Sequence, residues 1–217
     1  MNNSHPILFS TPMVQAIIEG RKTMTRREVT PQPGEGTHIS YMPNEPIDWN
    51  GEWYPFKWET EEGESINKHA RAAIGDILWV RETFFKNGND YIYLADGSCC
   101  EQFEQCECRE IGKPKWKPSI HMPKEACRLF LKVTNVRVEK LHEISTSDAK
   151  AEGVAHVIDK ITGYCGYNYL HGGYNLMTTP YHGFKSLWKK INGEESWNEN
   201  PWVWVISFEI TDKPLNF

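Results

Sequence analysis

Between positions 20 and 28 the chain reads Gly-Arg-Lys-Thr-Met-Thr-Arg-Arg-Glu, which sets Arg21, Lys22, Arg26 and Arg27 beside the hydroxyls of Thr23 and Thr25. Guanidinium groups hold anions, and an amine close to a hydroxyl can activate it as a nucleophile, so the segment suits anion binding and covalent catalysis. What positions it is a short helix of about residues 12 to 19. Ser10 or Thr11 offers an N-cap oxygen, Pro12 suits the first helical position, and Gly20 suits the left-handed C-terminal cap. The basic segment therefore starts where a helix stops.

The composition narrows the classes of function. A formal charge of -5 and a pI near 5.9 argue against a protein that coats nucleic acid through many phosphate contacts, although a small nucleotide or one RNA end still fits. No apolar run approaches the roughly 20 residues that span a bilayer, and the start MNNSHPILF lacks the regions of a signal peptide. The expectation is a soluble, cytoplasmic protein with no membrane partner. Its 217 residues suit one domain, 1–217, with long insertion loops at about 30–70, 86–116 and 154–180. The oligomeric state is left open.

Cys99, Cys100, Cys106 and Cys108 cluster, while Cys127 and Cys165 stand apart. Paired zinc ligands are usually spaced C-x2-4-C, and this cluster, interleaved with Glu101, Glu104 and Glu107, departs from that pattern. It reads as an acidic solvated loop, so no metal is expected. GxGxxG, P-loop, HExxH and GxSxG signatures are all lacking, and no cofactor is expected either.

The regular elements follow from periodicity. Ile7-Leu8-Phe9, Ile77-Leu78-Trp79-Val80 after the turn pair Gly75-Asp76, and Tyr91-Ile92-Tyr93-Leu94 read as strands. Leu129, Leu131 and Val133 share a face, and Val136 and Val138 continue it shifted by one residue across Thr134-Asn135, which predicts a bulge in one long strand. Residues 202 to 210 alternate with Trp202, Trp204, Ile206, Phe208 and Ile210 on one side, and Val203 and Val205 make the other side apolar too. That strand should be buried on both faces. Phe184, Leu187, Trp188 and Ile191 form an i, i+3, i+4, i+7 stripe ended by Asn192-Gly193, a helix that covers the sheet. Many strands, three short helices and no βαβ rhythm point to an α+β fold, a small β-barrel with helices packed on it.

The order Lys22-Thr23-Met24-Thr25-Arg26-Arg27, then residues 75–82 (GDILWVRE), 148–153 (DAKAEG) and 202–206 (WVWVI), resembles the ASCH family of the PUA-like superfamily, most of all its larger phage-borne branch. The resemblance implies a PUA-like small β-barrel with flanking short helices. Small bacterial members of that family include an N4-acetylcytidine amidohydrolase that uses a Lys, a Thr three residues later and a distant Glu. By that resemblance the Lys falls on Lys22, the Thr on Thr25, the Glu on Glu152 and a substrate-binding Arg on Arg27. It implies metal-independent removal of an N4-acyl group from a cytidine, supplied as a nucleoside, a nucleotide or within RNA.

The residue types suit that chemistry. Amide hydrolysis needs a nucleophile, a base for its proton and an acid for the leaving nitrogen. Burial and repulsion from Arg21, Arg26 and Arg27 would both lower the pKa of Lys22 toward a usable base. Glu152, just before Gly153 at the end of a helix begun by Ser145, Thr146 or Ser147, sits where the macrodipole favours the protonated acid. In an extended strand, residues three apart face opposite ways, so Lys22 and Thr25 can cooperate only if residues 21 to 24 form a turn. Trp79, Arg81 and His121 complete the expected substrate-binding set. Arg81 and Glu82 could instead pair with each other, and a non-catalytic module for RNA or a modified nucleotide would also want these cations.

Overall fold

The computed structural model describes residues 3–34, 36–41, 56–59, 65–66, 72–97, 115–158, 165–168, 176–215 and 217. Their architecture is α+β, with a core made mostly of sheet and few helices. The strands are β1 (Ser4–Leu8), β2 (Met24–Glu28), β3 (His38–Tyr41), β4 (Phe56–Glu59), β5 (Ser65–Ile66), β6 (Ile77–Arg81), β7 (Phe84–Asn87), β8 (Asp90–Tyr93), β9 (Phe130–Lys140), β10 (Ala155–Ile158), β11 (Cys165–Asn168) and β12 (Trp202–Thr211). The helices are α1 (Thr11–Ile18), α2 (Thr146–Ala151) and α3 (Pro180–Asn192).

The main sheet runs in the order β1-β6-β9-β12-β2. β1 and β6 are parallel and the other pairs antiparallel, which excludes a doubly wound parallel sheet. Among the described residues β1 and β2 are edges of an open sheet, so the expected closed barrel is not formed by backbone pairing. The two edges do approach each other, since Arg27 of β2 donates from Nη2 to Leu8 O of β1 at 2.7 Å.

β12 is central, and its double-sided apolar pattern has a direct physical cause. Trp204, Ile206 and Phe208 enter one core with Ile7, Leu78, Leu131 and Val133 of the sheet and Val14 and Ile17 of α1. Val203 and Val205, both wholly buried, enter a second core with Phe184, Leu187 and Trp188 of α3 and Ala149 of α2. The sheet is thus sandwiched between α1 and the α2–α3 pair. Ile191, expected in the α3 stripe, is instead 51% exposed, because it lies on the last turn of the helix. The predicted bulge is present: Ser207 pairs with Asn135 and Phe208 with Val133, leaving Thr134 as the extra residue.

Two local expectations need correction. Ser10 caps α1 by its backbone angles, but its side chain makes no capping bond. Residues 30–70 were expected as loop, yet β3, β4 and β5 form an antiparallel sheet there; strands of two to four residues offer too few alternations to be read from sequence. Likewise β10–β11 is a hairpin inside the expected 154–180 loop, whereas the strand expected at Tyr91–Leu94 is present as β8, paired with β7. The four clustered cysteines lie outside the described residues. Among the described residues no group of three or more His, Cys, Asp or Glu is placed to hold a metal, and no helix is long and apolar enough to cross a membrane.

Cys127 belongs to a third cluster with Phe84, Met122 and Phe130, where burial pushes its thiol up to about 11. At about pH 8 it should therefore stay protonated and inert. Iodoacetamide treatment of native protein should leave Cys127 unmodified while denatured protein is labelled, as read by peptide mass spectrometry. Rapid native labelling would show that this cluster opens.

Candidate active site

The turn after α1 decides where the basic segment goes. Gly20 takes a φ of 73°, which glycine adopts without strain, and Arg21 N and Lys22 N then bond back to Ala16 O. The chain leaves the helix irregularly and β2 starts only at Met24. Lys22 forms an isolated antiparallel bridge with Glu152, the C-cap of α2. Ser145 caps the other end of α2 by accepting from Asp148 N at 3.1 Å, so the Ser145 start and the Glu152 end both follow the sequence.

The bridge brings together two charges 130 residues apart. Lys22 Nζ donates to Glu152 Oε2 at 2.7 Å, to Glu152 O at 3.0 Å and to Met24 O at 2.8 Å, which uses all three ammonium protons. Both residues are almost wholly buried. Burial lowers the Lys22 pKa from its ordinary value of 10.5; Glu152 opposes that shift, and Arg27 and Arg26 reinforce it. The sequence expectation of a repelled, buried lysine has this physical origin, with burial the largest cause.

Arg26 occupies the next layer, and all five of its donors are engaged. Nη1 reaches Glu152 Oε1 at 3.2 Å and Met24 Sδ at 3.5 Å, Nε and Nη2 reach Glu139 Oε1, and Nη2 also reaches Asp148 Oδ2 at 2.8 Å. Arg26 is thus wholly committed to internal partners. Arg137 completes the network through Nε to Glu139 Oε2 at 3.1 Å and Nη2 to Asp148 Oδ2 at 2.5 Å. In register, Arg26 of β2 and Arg137 of β9 flank Val205 of β12, and Asp148 from α2 bridges over it. The bulge at Thr134 is what puts Arg137 and Glu139 on this face rather than in the apolar core, because one extra residue inverts the facing of all that follow.

Neither Arg137 nor Glu139 was singled out from sequence. The three cations Lys22, Arg26 and Arg137 balance the three anions Glu139, Asp148 and Glu152. Moving one proton from Lys22 to Glu152 along their 2.7 Å bond would leave a neutral amine, a carboxylic acid and two cations against two anions. Both proton arrangements of this six-residue network are therefore charge-balanced.

Thr25 is buried and pairs in register with Ile206, on the face opposite to Arg26. No hydrogen bond joins its hydroxyl to Lys22 among the described residues. Thr25 and Glu152 do line one cavity of about 60 Å³, with Arg26, Arg27, Glu28, Met13 and Phe184 among its other walls. That volume holds a few waters or a group of acetyl size. A second cavity of about 450 Å³ lies beside the sheet edges, lined by His5, Ile7, Arg27, Glu28, Arg81 and Trp204 among others. Arg27 and Glu28 are walls of both.

The remaining expected site residues are dispersed. Arg21 braces the site from behind, donating to Gly153 O at 2.9 Å and to Glu19 Oε2 at 2.6 Å. Trp79 packs edge-on against Phe217 in the third cluster and lines neither cavity, and neither does the exposed His121 in the short turn Ser119–His121. Glu82 does not pair with Arg81. It receives a bidentate bond from Arg128, Nε to Oε1 at 2.9 Å and Nη2 to Oε2 at 3.1 Å.

Gly153 closes the site at a φ of 101°, and a Cβ there would lie 3.2 Å from Ala16 Cβ and 3.3 Å from Lys22 Cβ. Gly153→Ala should therefore cost about 1–3 kcal/mol through backbone strain and displace Lys22. Urea unfolding measures this, and an unchanged midpoint would contradict the tight fit.

Compared with known proteins, the chain matches no family model, no curated protein sequence and no solved structure.

Proposed function

We propose that the chain is a metal-independent amidohydrolase that removes the N4-acyl group from N4-acetylcytidine or a related modified cytidine, on a PUA-like scaffold whose β1 and β2 edges flank the substrate cavity. The observation that carries this reading is the buried Lys22–Glu152 bond, with Glu152 and Thr25 lining the same small cavity. A neutral Lys22 would take the proton of Thr25 Oγ1 as that oxygen bonds to the acyl carbon. Glu152, holding the proton that left Lys22, would give it to N4 as the C–N bond breaks. Water would then hydrolyse the Thr25 ester, releasing the carboxylate. Lys22 must exchange one of its three present acceptors for Thr25 during the cycle, since its protons are all engaged.

The cavity sizes suit a divided substrate. The acyl group fits the smaller space and the nucleoside the larger, with Arg27 and Glu28 between them. Incubating purified protein with N4-acetylcytidine should yield cytidine and acetate in equal amounts, resolved by chromatography. Binding of N4-acetylcytidine without turnover would favour the second reading, a non-catalytic module for a modified nucleotide, which the larger cavity alone would satisfy.

A further inference from the structure

The larger cavity contains a cation that the reaction above leaves unused. Arg81, at the end of β6, is half-buried and lines the cavity, and no carboxylate pairs with it among the described residues. Its guanidinium lies over the Trp79 ring, 5.6 Å from the centroid, and donates from Nη2 to Ile120 O, while its Nε is buried with no acceptor. The other arginines of the site are committed differently: Arg21, Arg26 and Arg137 each hold a carboxylate. Burying guanidinium without a counter-charge is costly, so an unpaired one on a cavity wall marks a place for an anion.

Register brings a second cation to the same place. Leu8 of β1 pairs with Arg81 of β6, and Leu8 O accepts from Arg27 of β2, so the Arg27 guanidinium ends beside the residue that is in register with Arg81. Glu28 and the His5 ring, which is held by Asp76 Oδ2 at 3.2 Å, are the other ionisable groups on the walls. Apart from Thr30, the rest of the lining, with Ile7, Leu78, Trp204 and Ile206 in it, is apolar or aromatic, as a flat base requires. About 450 Å³ accommodates a nucleotide.

We propose that this cavity takes a pyrimidine nucleoside 5′-phosphate, with the phosphate on Arg81 and Arg27 and the ring among the apolar walls. The inference deepens the amidohydrolase reading by making the substrate a nucleotide rather than a free nucleoside. It can be tested apart from that reading by equilibrium binding of cytidine 5′-monophosphate, cytidine and inorganic phosphate to the purified chain. The monophosphate should bind at least tenfold more tightly than cytidine, and that advantage should shrink as salt is raised. Arg81→Gln should remove the advantage and leave cytidine binding unchanged, and Arg81→Lys should restore part of it; thermal melting checks that both variants fold.

Inorganic phosphate that binds as tightly as the monophosphate would overturn the nucleotide assignment in favour of a bare anion site. Equal binding of cytidine and its monophosphate in the wild type would overturn the proposal outright. If N4-acetylcytidine and its 5′-phosphate are both left intact, yet Arg81→Gln abolishes the preference for the monophosphate, the catalytic reading falls and this one stands.

Discussion

Thr25→Val should abolish hydrolysis of N4-acetylcytidine, by roughly a thousandfold or more in kcat, while the protein stays folded. The replacement keeps the branched shape beside Ile206 and removes only the hydroxyl. If Lys22, Thr25 and Glu152 act as a unit, adding Lys22→Ala to Thr25→Ala should scarcely deepen the loss, because effects within a catalytic unit are strongly non-additive. Arg27→Ala should raise KM more than it lowers kcat, as expected of a wall shared by both cavities. The pH profile follows from the shared proton. Activity requires one proton on the Lys22–Glu152 pair, so it should fall at high pH, when that proton leaves. Since burial lowers Lys22 from 10.5, the alkaline limb should lie below that value. Near-normal turnover by Thr25→Val would end this mechanism.

The largest expected effect on stability comes from parting the buried pair. Lys22→Met removes the cation on Glu152 Oε2 and also strands Met24 O and Glu152 O. Breaking a buried ion pair on one side costs about 3–5 kcal/mol, equivalent to a melting temperature lowered by roughly 10 °C in a domain of this size. Arg26 still holds Glu152 Oε1, which sets the effect toward the lower end of that range. The double variant Lys22→Met with Glu152→Leu should recover more than half of the loss, because two apolar side chains in a buried site leave no uncompensated charge. Differential scanning calorimetry of the three variants is decisive. A single variant that melts like wild type, or a double variant no better than the single, would show that the pair is not desolvated as its burial implies.

The parts of the fold legible in the sequence are those with many periods to read. Residues 202 to 210 revealed a strand because nine consecutive side chains reported the environment, and the structure buries both faces over Val203–Ile206 while Ile210 is exposed; the Thr134 bulge was visible as a change of phase between Val133 and Val136. The open edge between β1 and β2 was not legible, since sheet closure depends on how distant strands lie, which no local pattern encodes. The same limit applies to the site. Lys22 and Glu152 were named from a resemblance in motif order, and their contact is set by α2 meeting the end of α1. Arg26 shows the cost of reading a charge by type alone. A basic residue beside a hydroxyl suggested a substrate contact, whereas its actual partners Glu139 and Asp148 come from β9 and α2. Which carboxylate faces an arginine across three strands is a property of register.

Strand β2 hydrogen-bonds within the main sheet only to β12, and β12 is the last of the sheet strands along the chain. During synthesis Lys22, Thr25 and Arg26 are therefore made early and must wait for a partner near residue 206. Closing so long a loop is slow but adds little extra entropy cost, since that cost grows only with the logarithm of length. The waiting time has a chemical side on the proposed mechanism: until β12 arrives, β2 lacks its one neighbour in the main sheet, and Thr25 has no Ile206 to fix its backbone. On that mechanism the nucleophile is the last part to be placed, when the final sheet strand slides between β9 and β2.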